Sequence, residues 1–376
     1  SDLWLEGGLV REVRPADPEA VATGPDHLHL PGWQLLPAAV EPHAHLDKAF
    51  SWSTPVYGGL NDAIGCWREY AARMTGADVY ARARRALAAY LAAGITAVRT
   101  HVDCSLVALP EIIRLRDELR EAMDIQVVLL CSSTNPDLPE ALRLGVDLIG
   151  GCPHLAADQE LETRRLLDLA ERHGLGVDLH TDEQCAADVL SIRHLVREVR
   201  TRRLAGVAAS HCVSLGSLAP SVLADVLGEI RDAGVDIVTL PITNLYLQGR
   251  VTPTRGVPPL RAVLDAGIRL AAGGDNLRDP FNPMGRADPF ETTSLLITAG
   301  HLNADQALHA ITGGARCVLG LPAAGPEPGR RADLLAVRAE SRTDVLAGTP
   351  SDRIVLRGGR VVSRTTIRSE NAVSDR

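Results

Sequence analysis

Two histidines separated by one residue, His43 and His45, lie in the stretch Glu41-Pro42-His43-Ala44-His45-Leu46-Asp47-Lys48. On an extended segment residues i and i+2 project to the same side, so both imidazoles can reach one metal ion. Neutral imidazole together with carboxylate suits Zn²⁺ or Fe²⁺, and a position left open to water makes such a site catalytic. The pair alone is weak, but further chemistry follows in order. His101-Val102-Asp103, Cys131-Ser132-Ser133, Cys152-Pro153-His154, His180-Thr181-Asp182-Glu183, His211, Thr243-Asn244 and Asp275-Asn276 each come just after a short apolar run. Of the twelve histidines, His43, His45, His101, His154, His180 and His211 fall at such ends, more than random scatter would put there. Any one of these side chains alone reads equally well as a hydrogen-bonded core or surface residue. The ordered set points to a metal site.

The apolar runs read as strands: Trp33–Val40, Thr96–Thr100, Ile125–Leu130, Val146–Ile149, Gly176–Leu179, Gly206–Ser210, Val235–Leu240 and Ile268–Ala272. Between them run helix-patterned stretches, namely Asp78–Ala93, Glu111–Ala122, Leu161–His173, Ala187–Arg203, Leu218–Ala233 and Leu260–Ala266. Gly94, Gly145, Gly174, Gly234 and Gly267 stand where helices should stop. Eight strands with intervening helices predict an α/β fold, a TIM-like (β/α)8 barrel, whose catalytic groups gather where the strands end. An open doubly wound sheet is the competitor, but no GxGxxG follows the first strand. The flanks differ: residues 1–32 and roughly 328–364 carry short apolar pieces with Gly and Pro, suggesting one small sheet built from both ends. The chain is thus expected to divide into a barrel over 36–327 and a small β unit over 1–35 plus 328–364. A polar tail over 365–376 should be disordered.

Hydrophobic residues make up 45% and charged residues 23%, ordinary values for a globular protein. A net charge of −8 argues against nucleic acid or an anionic membrane as partner. No window offers the ~18 uncharged apolar residues of a membrane span. The seven cysteines are odd in number, widely spaced and never in CxxC pairs, which suits free, mostly buried thiols in a reducing compartment. With no secretory signal visible, a cytoplasmic location is expected. The partner is expected to be a small molecule, and the subunit count stays open, a homo-oligomer included.

The order PHAHLD, RTHVD, DLHTDE, ASH and GGD resembles the amidohydrolase superfamily, and more narrowly its cytosine deaminase-like branch. The resemblance runs from about Leu36 to Leu334 and is reinforced by ALRLGVDLIGGCPH, NLYLQGR and RDPFNPMG, which carry no metal role. It implies one divalent metal, Zn or Fe, bound by His43, His45, His180 and Asp275. It also implies that Glu183 shuttles a proton to the substrate ring, that His211 stands beside the attacking water with Asp275, and that both chain ends form a β-sandwich. Lysine-bridged members hold two metals with a lysine at the end of strand four. Lys48 is the only lysine of this chain, and Val146–Gly151 has none. A single metal is therefore expected.

Lys48, three residues past His45, is read as a substrate-facing group, a loop anchor or a solvated cation. Asp103, Asp182 and Asp279 are the expected carboxylate partners for the second nitrogens of ligating histidines. His173, His194, His301 and His309 are expected at the surface or in packing, and the cysteines near strand ends in packing. The substrate-facing candidates are Lys48, His101, Ser132, His154, Asn244, Asn276 and Phe281. The expected reaction is hydrolytic deamination of an amino-substituted nitrogen heterocycle. Alternatives are hydrolysis of an N-alkylamino-heterocycle or cyclic amide at the same site, or a binding relative without activity. The resemblance also marks cytosine as a poor substrate. Ser132 stands where those deaminases carry a glutamine, and Asn276 where they carry a second aspartate.

Overall fold

The computed structural model of the protein describes residues 1–15, 27–52, 58–202, 204, 206–250 and 254–367. Chain order begins with a hairpin, β1 (Asp2–Glu6) and β2 (Leu9–Arg14), followed by β3 (Trp33–Pro37). Eight parallel strands then alternate with helices: β4 (Ala39–Ala44), β5 (Ile95–Asp103), β6 (Asp124–Leu130), β7 (Leu148–Gly150), β8 (Gly176–Thr181), β9 (Val207–His211), β10 (Asp236–Thr239) and β11 (Leu270–Ala272). The chain closes with β12 (Leu334–Arg338), β13 (Arg353–Arg357) and β14 (Arg360–Thr365).

β4 to β11 follow one another in a single sheet in sequence order, and a parallel bridge between Ala44 and Asp275 brings its two edges together into a barrel. β5 is buried along nearly its whole length, as expected for a parallel strand covered on both faces. The helices cover the outside with one apolar stripe each. Ser191–Thr201 buries Ile192, Leu195, Val196 and Val199, the i, i+3, i+4, i+7 pattern of a helix face. Gly94 ends the helix Gly76–Ala93 at φ 106° and hands the chain to β5. A Cβ there would also meet Leu335 Cδ2 at 2.6 Å, so the glycine lets β12 approach.

The first expected strand, Trp33–Val40, is in fact two elements. β3 pairs antiparallel with β12 in a four-stranded sheet ordered β14-β13-β12-β3, whereas β4 opens the barrel. The break lies at Pro37-Ala38, since proline cannot donate to a central ladder. The β1–β2 hairpin is fastened to the chain just before β12, with Val10 N–H donating to Arg330 O at 2.9 Å. Val10, Ala332, Leu334, Ala336, Ile354 and Leu356 form the small core there. The tail expectation fails at its first residue, because β14 runs to Thr365; residues 368–376 lie outside the described residues. Among the described residues no helix is long and apolar enough to cross a membrane. All seven cysteines are free, but only Cys131 and Cys212 are fully buried, and Cys66 and Cys317 are exposed.

Candidate active site

The lower lumen of the barrel is filled by Val40, Ala97, Ala208, Val238 and Ala271 against Val318 and Leu319. A polar column rises from it. Arg99 donates to the Val318 carbonyl at 3.1 Å and to Asp178 Oδ2 at 2.8 Å. Asp178 Oδ1 accepts from the Ser210 hydroxyl at 2.8 Å, and Ser210 Oγ lies 2.9 Å from His43 Nδ1. Because the serine proton is committed to Asp178, His43 Nδ1–H donates to Ser210 and Nε2 is left with its lone pair. The other histidine of the pair is fixed differently. His45 Nδ1–H donates to the His101 carbonyl at 3.0 Å, which again leaves Nε2 bare.

Four such bare atoms converge. His43 Nε2 and His45 Nε2 are each 3.2 Å from His180 Nε2, while Asp275 Oδ1 lies 3.3 Å from His45 Nε2 and 3.6 Å from His43 Nε2. Bonds of 2.0–2.2 Å to a small divalent ion put neighbouring ligands about 3.4 Å apart, so these four separations suit such an ion; the three imidazoles form one close group, and Asp275 forms another with His43 and His211. Without a cation the arrangement is costly. Both Asp275 oxygens are buried without a hydrogen-bond partner, and burial followed by Glu183, Asp279 and Glu41 pushes its carboxyl well above the usual range. Desolvation and mutual repulsion hold the imidazoles of His43, His45 and His180 well below their usual pKa, so they are neutral and ligand-competent. The backbone is also committed here: Asp182, His211 and Asp275 all have positive φ (50°, 71° and 64°), a strained conformation that clusters at functional sites.

Beside the donor set stand two groups able to move protons. Glu183 is buried, and desolvation pushes its carboxyl up to about 8. Its Oε1 lies 3.7 Å from His211 Nδ1, which Asn244 Nδ2 approaches to 3.0 Å. Burial holds the His211 imidazole well below its usual pKa. His154 donates Nδ1–H to the His180 carbonyl at 3.1 Å, leaving its buried Nε2 an acceptor without a partner. His101 stacks on His43 with ring centroids 3.8 Å apart, and neither of its nitrogens has a hydrogen-bond partner. Burial lowers both His101 and His154 to about 4.

The other substrate-facing candidates are more occupied. Lys48 is buried and its ammonium lies 2.8 Å from Asp103 and 3.5 Å from Asp47, so its charge is already matched. Trp67 Nε1–H donates to the second Asp103 oxygen at 2.6 Å. Asn276 donates to Asp279 at 2.7 Å, and Asp279 also accepts the N–H groups of Phe281 and Asn282. Phe281 is half-buried, while Ser132 is exposed with its hydroxyl 3.1 Å from Thr134 Oγ1.

Asp103, Asp182 and Asp279 therefore do not take the place expected of them. Asp103 serves Lys48 and Trp67, Asp182 accepts from Ser191 and Ile192, and Asp279 closes its own turn. The carboxylate that reaches a ligand-type histidine is Asp178, through Ser210. Sequence reasoning missed Asp178, Ser210, Arg99 and Glu41. The available signal was a charged residue inside an otherwise apolar parallel strand: Arg99 in AVRT and Asp178 two residues before His180 on the same strand face. Of the four histidines expected at the surface or in packing, His173, His301 and His309 are exposed and His194 is half-buried.

The chain belongs to the amidohydrolase family, whose family model matches residues 56–367. It is 31% identical to a pterin deaminase from Rhizobium rhizogenes over 97% of this chain and 88% of that one. A solved 5-methylcytosine deaminase from Klebsiella pneumoniae, with 5-fluorocytosine bound, is similar at 26% identity and a TM-score of 0.90, covering 98% of this chain and 95% of that one. An N-isopropylammelide isopropylaminohydrolase from Burkholderia multivorans is similar at 30% identity and a TM-score of 0.81, covering 96% and 94%. Family and site together make the chain a metal-dependent hydrolase of C–N bonds.

Proposed function

We propose that the protein is a mononuclear aminohydrolase that releases ammonia from an amino-substituted nitrogen heterocycle, with one Zn or Fe ion held by His43, His45, His180 and Asp275. The observation that carries this reading is the buried Glu183–His211 pair beside the four converging donor atoms. One ion rather than a lysine-bridged pair is supported by β7, Leu148–Gly150, which has no lysine. When bound, the ion supplies the Lewis acidity that brings the pKa of a water towards ~7.

The residues then divide the proton work. Asp275 uses one oxygen in the donor set and offers the other as acceptor for the proton of the attacking water. His211, oriented by Asn244, stands beside that water and shares its alignment. Glu183, kept mostly protonated at neutral pH by burial, gives its proton to a ring nitrogen and makes the attacked carbon electrophilic. The amino group collects the proton that Asp275 took from the water, the C–N bond breaks and ammonia leaves, and the hydroxyl proton on the attacked carbon returns to Glu183 as the carbonyl forms. His154 Nε2, an acceptor awaiting an N–H, is the best placed substrate contact. Lys48, Asn276 and Phe281 shape the mouth around it.

Hydrolysis of an N-alkylamino-heterocycle at the same site is the second reading, favoured by the 30% identity to the isopropylaminohydrolase. The two differ only in the amine released. We further place the enzyme in the cytoplasm and divide it into a barrel unit, 38–327, and a terminal β unit, 1–37 with 328–365, the expected boundary at 35/36 moving because β3 pairs with β12. A panel of pterins, purines, pyrimidines, triazines and imidazolones, each offered with an amino and with an N-alkylamino substituent and assayed with the metal-loaded protein, separates the readings. Ammonia from at least one ring supports deamination, alkylamine alone selects the second reading, and a ring-opened acid as sole product contradicts both.

A further inference from the structure

Glu41 lies two residues before His43 and is 4% exposed. A carboxylate inside a barrel strand needs partners, and backbone amides supply them. Glu41 Oε1 accepts the His43 N–H at 3.3 Å and Oε2 accepts the Gly274 N–H at 2.9 Å, while the Asp275 N–H also faces the carboxyl group. The cavity beside it, bordered by Tyr90, Ile242 and Thr292, has a volume of about 10 Å³ and admits one water at most. The carboxylate thus ties the end of β4 to the segment after β11, across the seam that the Ala44–Asp275 bridge closes.

The fit is close on both sides. A Cβ on Gly273 would stand 2.0 Å from Glu41 Oε1 and 3.0 Å from Pro42 Cδ, whereas one on Gly274 would stand 3.3 Å from Oε2, tight but relieved by a shift of a few tenths of an ångström. Asp275 follows in a left-handed conformation that a non-glycine residue holds only when its surroundings fix it.

We propose that Glu41 is a positioning residue for the metal-binding atoms, its carboxylate holding the backbone of His43 and of Asp275 in register so that His43 Nε2 and Asp275 Oδ1 meet across the seam. The proposal rests on the reading of His43 and Asp275 as ligands. Burial raises the Glu41 carboxyl to about 8, but both its oxygens can accept an amide N–H in either state, because a hydroxyl oxygen keeps a lone pair. Glutamine in its place turns an NH2 group towards one of the backbone amides, setting donor against donor.

The test uses the full chain, stripped of metal and titrated with Zn(II) against a competing chelator, and separately with Co(II) followed by visible absorption. Glu41→Gln and Gly273→Ala should each weaken Zn(II) binding by ~10–100-fold and alter the Co(II) spectrum, as loss of a ligand-orienting group does. Gly274→Ala should change far less, and metal-free Glu41→Gln should keep its circular dichroism. Zn(II) affinity within twofold of wild type and an unchanged Co(II) spectrum in both variants would overturn the proposal. So would unfolding of both metal-free variants, since Glu41 would then be a residue of the fold rather than of the site. If instead His180→Ala and Asp275→Ala bind Zn(II) as tightly as wild type, the ligand reading itself fails and takes this inference with it.

Discussion

Replacing Glu183 by glutamine keeps the side chain's size and hydrogen-bonding reach but removes the proton it can transfer. The site makes that proton available: burial raises the carboxyl to about 8, so at pH 7 roughly nine in ten molecules carry it. Its oxygen is 3.7 Å from His211 Nδ1, close enough to act beside the metal-binding atoms without being one of them. General acid–base groups of this kind contribute ~10²–10⁴-fold, equivalent to roughly 3–5 kcal/mol of barrier. Glu183→Gln should therefore lower kcat by that range while metal content per chain stays at the wild-type value. The pH dependence gives a second handle. The active form is protonated, so wild-type kcat should fall roughly tenfold per unit above about pH 8. The glutamine variant should lack that limb. Ammonia release followed over pH, with metal content measured on the same samples, decides it. A variant keeping more than half of wild-type kcat, or one retaining the alkaline limb, would refute the role given to Glu183.

Arg99→Leu leaves Asp178 as a buried carboxylate without its guanidinium partner, and both are almost fully buried. It should cost ~3–5 kcal/mol of unfolding free energy in denaturant titration, and a loss under 1 kcal/mol would show that the column is not under electrostatic tension. Cytosine should be a poor substrate: Ser132 is exposed and bonded to Thr134, and the Asn276 amide is given to Asp279. Two missing polar contacts at ~1–3 kcal/mol each predict a kcat/KM below ~10⁵ M⁻¹s⁻¹, and a measured value above that contradicts the reasoning.

The barrel was legible because its punctuation is local. Alternating β-branched runs, helix stripes and glycines such as Gly94, Gly174 and Gly234 mark each turn without reference to the rest of the chain. Where a signal depended on tertiary pairing, it failed. Trp33–Val40 reads as one strand, and only pairing with β12 shows that Pro37 divides it between two sheets. The strand-end placement of His43, His45, His180 and Asp275 was visible in the sequence, and the resemblance singled them out from the other strand-end groups. The partners of those residues were not visible. A buried carboxylate's role depends on what faces it across the lumen, so Asp178 and Ser210 bond across adjacent strands beneath His43 while Asp103 is drawn away to Lys48 and Trp67. Lys48 shows the same limit: its position beside His45 was visible, but not the two carboxylates that neutralise it.

The central claim is a single ion at the four converging atoms driving C–N hydrolysis, and metal stoichiometry read with turnover tests it most directly. Elemental analysis of the purified protein should give about one equivalent of Zn or Fe per chain. Removal of that equivalent by chelation should abolish ammonia release from the best substrate of the panel, and re-addition of one equivalent should restore it. His180→Ala should bind less than a tenth of an equivalent under the same conditions. Two tightly held ions per chain, or undiminished turnover after complete metal removal, would contradict the account.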